Sequence, residues 1–307
     1  MHRLSVWASV LVILLASSGC DLNDGDEEGI RIESSLSFTG IQELDINTTS
    51  GDCLIQPADD DTLRVDLSYT FPESCYEPLY TKEGDVLELE EVFSGGTCNG
   101  SSQWVITLPD GIGIEFNSAS GSFTISDHQG DLRVNTASGS IDVGLLEGQV
   151  DLNSASGQIT LEEVSGVIEA NSASGHVYVT GGAGIMDLNS ASGDVRCEGV
   201  LFTDASSFST ASGDVRVILA ESSGYDLGLS SASGQAILNY NGHEVQGFFE
   251  FTARQDIGTI ISPYPFDSET TFTQGDYVYD RKSFTRGSAT PSITINTASG
   301  TAELRLN

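Results

Sequence analysis

The feature that most constrains this chain is a pentapeptide that returns every 18 residues. It begins at Asn117, Asn135, Asn153, Asn171 and Asn189, reading NTASG at Asn135 and NSASG at the others. Looser copies follow at Ser209, Ser230 and Asn296, and a degenerate NTTSG stands upstream at Asn47. A fixed period of this length marks stacked structural units.

Aligned on the Asn, the regular copies share apolar columns. Three residues before it stand Ile114, Leu132, Val150, Ile168 and Met186, and one before it Phe116, Val134, Leu152, Ala170 and Leu188. Six after it stand Phe123, Ile141, Ile159, Val177 and Val195, and eight after it Ile125, Val143, Leu161, Val179 and Cys197. Apolar residues two apart, twice per repeat, predict two short half-buried strands. The SASG or TASG between them reads as a tight turn. Its Gly would supply a backbone conformation that residues with a Cβ avoid, and its Ala would let the inner wall come close. A second Gly, at 130, 148, 166 and 184, marks the other corner. Eighteen residues cannot hold two strands and a helical crossover. The expected fold is therefore all-β, a parallel β-solenoid of about 18-residue coils with two short strands per coil. No coil can bury its apolar face alone, so stability comes from neighbours. Equivalent positions would lie about 4.8 Å apart. Asn117, Asn135, Asn153, Asn171 and Asn189 then form a corner ladder, with the Ser side chains bonding their own copies beside it. The competing reading is a row of Ser and Asn that binds a ligand.

The start of the chain reads as an export signal. His2 and Arg3 precede the apolar run Leu4–Ala16 and then SSGC at Ser17–Cys20, too short a run to span a bilayer. The small residues before Cys20 resemble a bacterial lipobox, which would make Cys20 the lipidated first residue. Ser17 departs from that pattern, so cleavage by ordinary signal peptidase is the alternative. Residues 21–29 form a short acidic tether without apolar periodicity. Export permits disulfides. Cys53 and Cys197 fall in inward columns at least five coils apart, about 24 Å, too far to bridge. Cys75 and Cys98 both lie in the irregular stretch before the array and are expected to pair.

The net charge is −33, with only 12 Lys and Arg. Such a surface repels nucleic acid and anionic lipid. Its acidity fits a saline habitat, the solubility of an edge-rich β protein, or divalent-cation binding. The third option has a location. Two residues before the Asn stand Asp151, Glu169 and Asp187, like charges stacked on an outward face, which could weakly hold calcium. A solvated acidic face is the plainer reading. No other chemistry is legible. The four His lack metal-ligand spacing, and the corner Ser residues have no His in register as a base.

The remaining organisation is one domain over residues 30–307, with irregular N-terminal coils at 30–110, the regular array at 111–220, and C-terminal coils and cap at 221–307. Residues 242–290 carry most of the aromatic residues of the second half, as a cap, a covering hairpin or a binding surface. Ile293–Leu306 makes one last coil around Asn296.

The segment WVITLPDGIGIEFNSASGSFTI (Trp104–Ile125) resembles the first repeats of the bacterial putative-adhesin family of β-strand-repeat proteins. Leu108–Pro109–Asp110–Gly111 matches that family's LP-x-G segment, and SITINTASGTAELRL (Ser292–Leu306) its closing repeat. The resemblance implies the repeat fold and a domain of unknown function, and it brings no catalytic residues. The expectation is a non-enzymatic envelope lipoprotein acting as an adhesin-like interaction module without a cofactor. Its partners would be the membrane, through the N-terminal lipid, and an envelope protein or glycan. The alternatives are a scaffolding or stress-response accessory of the envelope, and a polysaccharide-active β-helix enzyme, for which Lys and Arg are sparse. An ice-ordering face is disfavoured because the column seven after the Asn (Thr124, Asp142, Thr160, Tyr178, Arg196) is mixed.

Overall fold

The computed structural model describes residues 31–307, so the expected signal peptide, the acidic tether and Cys20 lie outside the described residues. Those residues form 27 strands and no helix, joined in one large, mostly parallel open sheet.

Two ladders run along the molecule. In the first, Leu132 pairs with Ile114 on one side and Val150 on the other, Val150 with Ile168, and Ile168 with Met186. In the second, Ile141 pairs with Phe123 and Ile159, Ile159 with Val177, and Val177 with Val195. The apolar columns of the sequence are thus columns of paired residues. The strand Ile141–Ser154 runs through both ladders and joins them. Burial alternates along each strand, as in the BiBiB ending of that same strand. Inward side chains of the two ladders meet in one continuous core, where the rings of Phe116 and Phe123 lie 5.1 Å apart.

The corners depart from expectation. Gly121, Gly139, Gly157, Gly175 and Gly193 are not in the left-handed region. They are needed because a Cβ on any of them would enter the carbonyl of the glycine one coil back. The left-handed position lies ten residues after the Asn, at Asp127 (φ 59°), Leu145 (48°), Glu163 (52°), Gly181 (72°) and Gly199 (70°). The corner alanines also face the other way. Ala119, Ala137, Ala155, Ala173 and Ala191 are exposed, and Thr136, Ser154, Ser172 and Ser190 turn inward. Close approach of the wall is therefore the work of Gly, not of Ala.

Both ends are tucked in. Glu43–Thr48 lies between Val86–Phe93 and Gly113–Ser118. Ser292–Thr297 lies between Leu227–Ser231 and Gly247–Arg254, so the coil around Asn296 is last in the chain without being last in the stack. Antiparallel hairpins finish the ends. Tyr76–Glu83 pairs with Val86–Phe93 at one, and Tyr277–Arg286 bridges Gly247–Arg254 and Ser268–Gln274 at the other. The aromatic segment thus supplies a terminal strand and a hairpin, and its Phe249, Phe251 and Phe284 are buried over the end of the core.

Candidate functional site

The asparagines sit on the first ladder, one per coil and half-buried. Each donates an amide hydrogen bond to the side-chain oxygen of the coil before. The series runs Asn117 to Asn47 (3.2 Å), Asn135 to Asn117 (2.9 Å), Asn153 to Asn135 (3.1 Å), Asn171 to Asn153 (3.2 Å) and Asn189 to Asn171 (3.1 Å). The Ser209 hydroxyl closes it on Asn189 at 2.5 Å. All the bonds point one way, and such chains polarise one another.

The amide's other proton goes to the carboxylate two residues earlier on the same strand: Asn117 to Glu115 (3.1 Å), Asn153 to Asp151 (2.9 Å), Asn171 to Glu169 (3.0 Å) and Asn189 to Asp187 (2.9 Å). Asp151, Glu169 and Asp187 do stack in register. Each is tied to its own Asn, and among the described residues no group of three or more His, Cys, Asp or Glu is arranged to hold a metal ion. Their partner is the ladder. Arg133 breaks the acidic column, 3.7 Å from Glu115 and 3.4 Å from Asp151. At the column's start, burial and then Glu43, Glu115 and Glu88 hold the Asp45 carboxyl above the usual range.

The inward hydroxyls do not bond their copies. Ser154 Oγ accepts from Gly157 N–H of its own turn (2.8 Å), and Ser190 Oγ donates to the Gly175 carbonyl of the coil before (3.0 Å). The spacing [ST]-x-x-G carries this pattern in the sequence. The turn's backbone is satisfied across coils as well, Ala155 N–H reaching Thr136 O at 3.1 Å and Ser156 N–H reaching Ala137 O at 3.0 Å.

The first turn, NTTSG at Asn47, has Glu91 in place of another turn. The Glu91 carboxylate is buried and accepts from Thr49, Ser50 and Gly51 N–H at 2.9, 3.3 and 3.3 Å. It also accepts from Tyr76 OH (3.0 Å), Trp104 Nε1 (3.2 Å) and Ser102 Oγ. This cap escaped the sequence reading. The available signal was alternation: Leu87 and Leu89 face inward, which puts Glu91 inward too.

Cys75 and Cys98 are bonded to each other, with Cα atoms 5.9 Å apart. Cys53 and Cys197 are free and buried, and burial pushes both thiols up, away from the thiolate that metal binding or nucleophilic attack requires.

Over the asparagines runs a shallow groove of about 930 Å³, lined from Asn47 to Ala191 by Asn, Ser, Thr and Ala alone. A second hollow of about 480 Å³ continues it from Asn171 to Ala232 with the same residue types. In a chain of net charge −33, this strip has no charged residue in its lining. It offers alanine methyls and the remaining lone pairs of the asparagine oxygens at a fixed rise, its amide protons and inward hydroxyls being already bonded.

A family model described as Toastrack DUF4097 matches residues 41–256. No curated protein matches the chain. Among solved structures, it is similar to a putative adhesin from Bacteroides fragilis NCTC 9343, at 13% identity and a TM-score of 0.44, covering 90% of this chain and 97% of that one. It is also similar to a putative cell adhesion protein from Clostridium sporogenes ATCC 15579, at 13% identity and a TM-score of 0.23, covering 90% of this chain and 100% of that one. Superposition at these scores is too loose to transfer a role.

Proposed function

The chain belongs to the Toastrack DUF4097 family, and from that premise we propose that it is a non-enzymatic interaction module of the bacterial envelope. Its body is a β-solenoid whose coil in the regular array is 18 residues, the offset between bonded asparagines. It is exported and held at the membrane through a lipid on Cys20. It engages its partner, an envelope protein or a glycan, along the uncharged groove.

The observation that carries this reading is the groove's neutrality and regularity over successive coils. A polar strip already locked by its own hydrogen bonds loses little conformational freedom on binding, so weak contacts to a repetitive partner can add up. A non-catalytic role is supported by the commitments of the polar groups. The ladder's carboxylates, amides and inward hydroxyls are occupied with one another and with the backbone.

The test is retention of envelope components on the immobilised full chain, compared with the variant Ala155→Arg/Ala173→Arg. Both alanines are exposed, so the variant should fold and block the groove. Saturable retention of a protein or glycan that the variant loses is the expected result. Retention that survives the substitutions would place the contact elsewhere, and no retention by the folded chain would end the reading.

A further inference from the structure

We propose that Ser268–Gln274 is a docking edge for a second copy of this chain, pairing antiparallel with its counterpart about a two-fold axis at Thr271. This goes beyond the groove, which lies on a different part of the molecule.

The strand is the outermost of its ladder. Among the described residues it pairs only with Tyr277–Arg286, leaving a row of backbone N–H and C=O groups unpaired along its other side. Every side chain in it is exposed except the half-buried Phe272, so neither face is covered. An exposed edge without proline is a template for another strand. The same end of the molecule gathers Ile257, Ile261, Tyr277 and Val278, four of the nine large hydrophobic side chains exposed among the described residues.

The other end is defended. Its outer strand Tyr76–Glu83 contains Pro78, which cannot donate to a ladder, together with Glu77, Lys82 and Glu83. Its companion Ile32–Thr39 opens with the exposed ion pair of Arg31 and Glu33. Thr259–Ile261, which pairs with Thr301–Arg305 on the second ladder, is only three residues long.

The strand's self-complementary register points to another copy as the occupant, and charge permits it. Two chains of net charge −33 repel, so a contact between them is favoured where the local charge is low. Residues 247–286 hold four of the twelve cations (Arg254, Arg281, Lys282, Arg286) against six acids, which leaves 4 − 6 = −2. Two-fold pairing then places Thr271 opposite Thr271, Thr270 opposite Phe272, Glu269 opposite Thr273 and Ser268 opposite Gln274. No like charges face each other, and Thr–Phe is a favourable cross-strand pair. A contact of one seven-residue strand is small, so the dimer is weak and concentration-dependent. If the N-terminal anchor of the proposed function holds, such a tail-to-tail pair puts its two anchors at opposite ends and can join two surfaces.

The experiment is sedimentation of the purified full chain in mild detergent across a wide range of protein concentration, with oxidative cross-linking of Thr271→Cys. The expected results are a reversible dimer, and a covalent dimer from Thr271→Cys but not from Ala173→Cys in the groove. Thr271→Lys should abolish the dimer by opposing two charges, and an equal mixture of Thr271→Lys and Thr271→Glu should restore it. A monomer at every concentration, or a dimer indifferent to Thr271→Lys, overturns the proposal. The anchor is scored separately, by whether the full chain fractionates with membranes.

Discussion

At the scale of single residues, the repeat tolerates strain where the sequence offers no relief. Leu145 holds a left-handed backbone at φ 48° and leaves 59% of its surface in water. That conformation costs a residue with a Cβ about 1–2 kcal/mol, whereas glycine's extra chain entropy costs about 0.5–1 kcal/mol. Leu145→Gly should therefore stabilise the protein by about 0.5–1 kcal/mol in urea melts, with little core contact to lose. Gly181 and Gly199 already occupy the equivalent corner. His128 makes a second prediction. It is buried, its Nε2 donates to Ile112 O at 2.9 Å, and burial holds its pKa below the ordinary value despite the opposing effects of that bond and Asp110. The folded state thus prefers the neutral ring. Its contribution is fully present above the unfolded pKa, about 6.5, and is lost as pH falls from there towards the folded value, because only the unfolded chain takes up the proton. Between neutral and mildly acidic pH, wild type should lose more stability than His128→Gln. Equal losses would show that the ring does not titrate in this way.

At the scale of elements, a parallel stack satisfies each turn with the turn before it, so its first turn needs a substitute. Glu91 provides one, its carboxylate gathering three N–H groups of the Asn47 turn and three side-chain donors. Glu91→Gln keeps the shape but turns an acceptor into an amide donor facing other donors. It should destabilise the chain by about 2–4 kcal/mol, read by denaturant midpoint. Loss of protection should be greatest in hydrogen exchange at Thr49–Gly51, and uniform loss along the array would argue against a capping role.

At the scale of the whole molecule, most of the charge of −33 falls within the described sheet, and the carboxylates of the outward column stand one coil apart. Added salt screens such neighbours, with a Debye length of about 10 Å at 0.1 M. The melting temperature should rise with sodium chloride. Because Asp151, Glu169 and Asp187 are bonded to asparagines, calcium at matched ionic strength should raise it no further than sodium does. A calcium-specific increase would reinstate a cation on that column.

Counting along the chain is enough to find the repeat, the inward columns and the positions of the stacked asparagines, because a period in composition becomes a period in space when strands pair in register. Ile114, Leu132 and Val150 could be aligned by counting, and so could Asn117, Asn135 and Asn153. What each corner residue does depends on the contacts made between coils. Gly139 is required by the carbonyl of Gly121, and the fold, not the local chain, brings the two together. Glu91 is a cap because the strand Val86–Phe93, from much later in the chain, returns beside Glu43–Thr48. Asp151, Glu169 and Asp187 each accept the second amide proton of the asparagine two residues on in the same strand, which holds that asparagine toward its neighbour in the ladder. The contact of Glu91 with Thr49 joins residues that no period relates, so spacing could not supply it.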